Sequence, residues 1–139
     1  MGKVTEKDIT AFACEFALKV CEIDETLIDS DHVMHVGQKE FSLDFVLCFD
    51  ITPEEAYKHT YAAEHHAREY GSDEEHECIA YLCIEGELYE TLYNYEGYGY
   101  GGDTAEELWR AFVRLSDKYG MYYSWCGGAV AFYDAEDLK

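Results

Sequence analysis

The sequence predicts an α+β fold in which helices cover a largely antiparallel sheet. Two long segments repeat apolar residues at the three-and-four spacing of a helix face, several others alternate apolar and polar residues, and glycine-containing turns separate adjacent strand-like runs. At 139 residues the chain has the length of one domain. The expected architecture is a single domain over residues 1–139, with three helices alternating with three β-hairpins.

The first helix is expected from about Thr5 to Glu22, where Ile9, Phe12, Ala13, Phe16, Ala17 and Val20 share a face and Thr5 is placed to cap it. His32 to Val36 reads as a short strand, and Gly37 opens a turn into Glu40 to Asp50. There Phe41, Leu43, Phe45, Leu47 and Phe49 alternate with Ser42, Asp44, Val46, Cys48 and Asp50, the clearest strand pattern in the chain. Thr52-Pro53-Glu54-Glu55 supplies a cap, a proline at the first helical position and acids in the first turn, predicting a helix to Tyr70 that Gly71 ends.

Glu77 to Glu85 is apolar on both alternations, and Glu85-Gly86 turns it into Glu87 to Tyr95, giving a second hairpin. Asp103-Thr104 and Glu107 open a third helix with Leu108, Ala111, Phe112, Leu115 and Tyr119 as its buried stripe, and Gly120 stops it. Met121 to Cys126 and Ala129 to Tyr133 flank Gly127-Gly128, a pair suited to a two-residue hairpin turn. The helix openings at Thr52 and Thr104 match in pattern, which shared capping chemistry explains without an internal duplication.

Thirty acids against ten bases leave a net charge of −20, yet 48% of the residues are hydrophobic and 16% aromatic, so the chain is expected to fold. A polyanion of this size repels phosphate backbones and anionic headgroups, which argues against direct nucleic-acid binding or a membrane-surface role. Its natural partners are basic. No apolar window reaches the length of a membrane span and Met1 to Asp8 is mostly polar, so a cytoplasmic location is expected. Six cysteines are expected to be reduced core residues: Cys14 and Cys21 lie seven apart on a helix, roughly 10 Å along its axis. Cys78 and Cys83, five apart in a strand-like run, are expected on opposite faces.

Residues 1–52, 53–100 and 101–139 carry net charges of −7, −10 and −3, so the middle third holds half the excess. Clustered acids repel one another without helping the fold. The candidate partner-binding residues are therefore Asp73, Glu74, Glu75, Glu87, Glu90 and Glu96. Beside them Tyr93 and Tyr95 are expected on one strand face, followed by Tyr98 and Tyr100 in the Gly97–Gly102 loop. Tyrosine and glycine together suit protein recognition, and the rings can stack on guanidinium groups.

Glu55, His59, His66 and Glu69 fall near one face of the expected second helix, and His76 and Cys78 share a strand-like run, but neither set has the spacing of a complete metal site. Cys48, Cys83 and Cys126 sit in apolar runs that blunt a thiol nucleophile. There is no P-loop, dinucleotide fingerprint or nucleophile elbow, so neither catalytic residues nor a cofactor are assigned.

In composition alone, the chain resembles the acidic inhibitors of restriction and CRISPR nucleases that phages and mobile elements encode. The resemblance implies an anti-restriction or anti-CRISPR DNA mimic whose carboxylates occupy the basic channel of a nucleic-acid-binding protein, such as a nuclease, with no cofactor. Two other expectations are a binding module that uses the Tyr/Gly loop and Trp125 for a small cationic or sugar ligand, and a metal- or thiol-dependent enzyme. A homo-oligomer is compatible with the sequence.

Overall fold

A computed structural model describes residues 3–73 and 75–138. The first helix, α1, spans Glu6–Asp24, and Thr5 and Asp8 close a reciprocal capping box at its start. Strands β1 (Val33–Val36) and β2 (Lys39–Ser42) form a hairpin around Gly37. A helical turn, α2 (Phe45–Cys48), and a 3-10 segment (Pro53–His59) lead to the two-residue strand β3 (Tyr61–Ala62). Then come the turn α3 (Arg68–Gly71), strand β4 (Ala80–Cys83), helices α4 (Glu87–Tyr98) and α5 (Gly102–Lys118), and the hairpin β5 (Met121–Cys126) and β6 (Ala129–Asp134). The strands form one antiparallel sheet in the order β3-β2-β1-β4-β6-β5.

Strand alternation sends Met34, Phe41, Leu82, Val130 and Phe132 to one face, where all five are buried beneath α1 and α5. Phe12 meets Phe132 edge-on at 5.1 Å, and Phe16 meets Phe112 at 5.4 Å, so the helix and sheet layers interlock through aromatic rings. On the opposite face, Tyr70 stacks on Tyr81 at 5.0 Å and lies tilted over His35 at 4.7 Å. Gly71 lies so close to the sheet that a Cβ there would approach the Ala131 Cβ to 2.8 Å. Tyr133 donates its hydroxyl to the Gly71 carbonyl, fixing this covering segment.

The α+β class therefore holds, but not the pattern of three helices alternating with three hairpins. The expected strand over Glu40–Asp50 stops at Ser42: the Leu43 N–H still donates to the His32 carbonyl, but the Val46 and Leu47 N–H groups turn back to the Leu43 and Asp44 carbonyls. Phe45 meets Phe41 at 6.2 Å and Phe49 at 5.9 Å. The apolar alternation therefore does not stay in the core to its end: Leu43 is buried, whereas Leu47 and Phe49 are exposed.

The expected helix from Pro53 to Tyr70 breaks at Thr60, whose hydroxyl and N–H both turn back to the Tyr57 carbonyl. Tyr61 and Ala62 then pair with β2, and the N–H groups of Ala63 and Ala67 donate to Gln38 and Gly37 at the β1–β2 turn. Glu55, His59, His66 and Glu69 consequently do not share a helix.

The expected return strand over Glu87–Tyr95 is helix α4. Its Leu88 and Leu92, four apart, are fully buried, and Glu87 and Glu90 lie in the first turn, where the helix dipole favours them.

Cys78 and Cys83 lie on the same sheet face. Ala80 pairs with Phe132 and the Ile79 N–H donates to the Phe132 carbonyl, so two residues oppose one and this bulge reverses the alternation before β4. All six cysteines are free thiols, and Cys48, expected in the core, is exposed. Among the described residues no helix is long and apolar enough to cross a membrane.

Candidate functional site

Two stretches lack lysine and arginine altogether: residues 20–38 and residues 69–109. The fold brings parts of them together at one end of the molecule, beyond the C-terminal ends of α1 and β4. Asp24, Leu27, Glu87, Glu90, Asn94 and Tyr100 line a cleft of about 340 Å³ between the end of α1 and α4. Asp29, Asp31, His32, Cys83 and Glu85 line a second cleft of about 240 Å³. Each cleft thus contributes three carboxylates, and among the described residues neither is lined by a lysine or arginine.

The two clefts share a frame. His32 is buried, accepts the Asp29 N–H at Nδ1 (3.2 Å) and places Nε2 3.2 Å from the Glu85 carbonyl, tying the loop after α1 to the loop after β4. With Nδ1 accepting, the proton sits on Nε2, and the ring is satisfied at both nitrogens. Gly86 follows with φ of 117°, a value glycine adopts without strain, and this turn sets Glu87 at the start of α4. Asp24 accepts the Thr26 N–H at 3.1 Å and its hydroxyl at 2.6 Å, holding the end of α1 in place.

Charge placement here runs against folding at α1. Its last turn has no basic residue and holds Glu22 and Asp24, with Glu25 at the cap, at the terminus where the helix dipole disfavours anions. Lys19 lies 3.7 Å from Glu22. Asp24, Asp31, Glu85, Glu87 and Glu90 make no ion pair among the described residues.

The residues singled out from the sequence fall into several places. Glu87, Glu90 and Tyr100 belong to the acidic end, and Tyr98 stacks on Tyr100 at 5.5 Å with both rings about two-thirds exposed. Asp73 and Glu75 lie at the other end of β4. Asp73 accepts the N–H groups of Glu75 (2.9 Å) and His76 (2.7 Å), which hold its carboxyl below the ordinary range, and His76 meets Tyr133, beyond the Ala80–Phe132 pair. Glu74 lies outside the described residues. Tyr95 is half-buried on α4.

Glu96 and Tyr93 join a different group. Tyr93 stacks on Tyr89 at 5.7 Å and meets Trp125 edge-on at 5.4 Å, while Glu96 accepts the Tyr123 hydroxyl at 2.8 Å and the Trp125 indole N–H at 3.0 Å. Sequence reasoning missed Asp24, Asp29 and Asp31, whose signal was the absence of any base between Lys19 and Lys39.

Burial opposes thiolate chemistry in the core. It pushes the Cys14 thiol up to about 12, with Glu15 and Glu54 adding to the effect, and the Cys83 thiol up to about 11, with Glu40 and Glu85 adding to it. Comparison of the chain with family models, curated proteins and solved structures finds no match.

Proposed function

We propose that the protein is an acidic protein-binding inhibitor that imitates a nucleic-acid backbone and occupies the basic channel of a nucleic-acid-binding protein, as anti-restriction and anti-CRISPR inhibitors do. The observation that carries this reading is the convergence of Asp24, Asp29, Asp31, Glu85, Glu87 and Glu90 on one end that neither cleft supplies with a base. Carboxylates at that end would pair with the lysines and arginines that otherwise hold phosphates, in charge-assisted hydrogen bonds, and association would release counterions from both surfaces. The exposed Tyr98 and Tyr100 rings beside them offer stacking surfaces for guanidinium groups. No cofactor enters this mechanism.

The test is capture of partners on the immobilised protein at low salt, followed by elution with duplex DNA. Recovery of nucleic-acid-binding proteins that DNA displaces and that a Glu87→Lys/Glu90→Lys variant fails to retain is the expected result. Retention in the presence of excess DNA would overturn mimicry. A small cationic ligand in the Asp24–Tyr100 cleft is a second reading, since Tyr100 and Gly101 both line it. Binding of such a ligand that persists at high salt would favour that reading.

A further inference from the structure

The run from Tyr119 to Tyr133 has no charged residue, the longest such run in a chain that is 29% charged. It contains β5, which among the described residues pairs with β6 alone and forms one border of the sheet. The opposite border is β3, only two residues long, and short edges resist pairing with other chains. β5 is six residues long, in unbroken register with β6, with neither proline nor charge. It therefore has none of the usual protections of an edge strand.

The hydrogen-bond phase of this edge follows from one contact. The Ala135 N–H donates to the Gly120 carbonyl at 2.9 Å, which makes residues 120 and 135 a hydrogen-bonded pair. Such pairs alternate in an antiparallel ladder, so Tyr122, Ser124 and Cys126 direct their main-chain groups to Tyr133, Ala131 and Ala129. The two-residue turn at Gly127 (φ 53°) and Gly128 (φ 92°) fits, because such a loop closes on a hydrogen-bonded pair. The N–H and C=O groups of Met121, Tyr123 and Trp125 hence point away from the sheet. None of them has a hydrogen-bond partner among the described residues.

We propose that β5 pairs antiparallel with β5 of a second copy of this chain, about a two-fold axis through Tyr123, and joins the two sheets into one. In that register Tyr123 opposes Tyr123 of the second copy, and Met121 opposes Trp125. Every outward N–H finds an outward C=O, and none is left over. Side-chain parity is kept as well, with Met121, Tyr123 and Trp125 meeting on the helix side and Tyr122 meeting Ser124 on the other. β5 itself carries no charge, which distinguishes it from the rest of a polyanion's surface, and the self-complementary register makes a second copy a suitable occupant, with the Glu96 carboxylate of each copy already held by its own Tyr123 and Trp125.

The test combines sedimentation equilibrium over a wide concentration range with residue-resolved amide exchange on the full chain. A dimer is expected, strengthened by NaCl because screening reduces repulsion between the two anionic bodies. Binding of a basic partner at the acidic end should instead weaken with salt, so the two proposals fail separately. The amides of Met121, Tyr123 and Trp125 should exchange about tenfold or more slowly in the dimer than at dilutions that dissociate it. Ser124→Glu, at an exposed site, should shift the protein to monomer with an unchanged melting temperature. A monomer at all concentrations and salts would overturn the proposal. So would a dimer that leaves those three amides unprotected, or one that Ser124→Glu does not weaken.

Discussion

The Glu96 carboxylate on α4 accepts the indole N–H of Trp125 on β5 at 3.0 Å. It also accepts the Tyr123 hydroxyl at 2.8 Å, so one acid ties a helix to two neighbouring aromatic side chains of the edge strand. Burial raises the Tyr123 pKa, and the hydrogen bond to Glu96 and its charge raise it further. The folded-state value lies above the unfolded one, so this group's stabilising contribution is complete below about pH 10 and is lost as pH rises through the folded value. Glu96→Gln should lower the Tyr123 midpoint, read from its ring resonances during alkaline titration. An unchanged midpoint would remove Glu96 as a cause.

Glu25 should trade stability against binding. It follows the C-terminal end of α1, where a cation is favoured by about 0.3–1 kcal/mol. Glu25→Lys should therefore raise the melting temperature while weakening capture of a basic partner. Loss of both stability and binding would show that the acid serves the fold.

The acidic end should also determine salt dependence. Each carboxylate that replaces a phosphate contributes one ion pair, so Glu87→Gln and Glu90→Gln should each flatten the slope of log affinity against log salt. Asp73 and Glu75, at the other end of β4, should leave the slope unchanged when neutralised. Equal flattening from both pairs would mean that the field of the whole molecule, not this end, drives association.

A pH dependence is expected from His35. Burial lowers its pKa below 6.5, against the opposing effect of Glu40, whose Oε1 lies 3.4 Å from an Nδ1 that has no hydrogen-bond partner among the described residues. The unfolded histidine takes up its proton at higher pH than the folded one, so stability should fall as pH is lowered from about 6.5 through the folded value. His35→Phe keeps a ring under Tyr70 and should make the stability curve flatter in that window. Chemical denaturation at several pH values measures the difference, and parallel curves would contradict the assignment.

Helix α4 can be tested by packing. Leu92 is fully buried, so Leu92→Ala should cost about 2–5 kcal/mol, whereas Tyr98→Ala at an exposed site should stay within about 0.5 kcal/mol. A small effect at Leu92 in urea unfolding would be incompatible with its place in the core.

Elements whose signals are local and unambiguous were legible in the residues alone. Thr5 and Asp8 specify the start of α1, the stripe from Leu108 to Leu115 specifies α5, and Gly127-Gly128 specifies the last hairpin. In each, capping, periodicity and turn chemistry agree. The sequence also placed Glu87, Glu90 and Tyr100 among the candidate residues.

Elements whose local signals conflicted were resolved by long-range packing. The alternation from Phe41 to Phe49 reads as a strand but turns helical at Phe45–Cys48, and Leu88 and Leu92 sit in a tyrosine-rich segment that reads as a strand. In each case, which side chains could reach the core settled the outcome. Residues 61–62 became a strand because β2 offered an edge to pair with. The acidic end was decided in the same way. Asp24 and Glu87 are 63 positions apart, and repulsion leaves no periodic pattern in a sequence, so their proximity followed from packing α4 beside the end of α1.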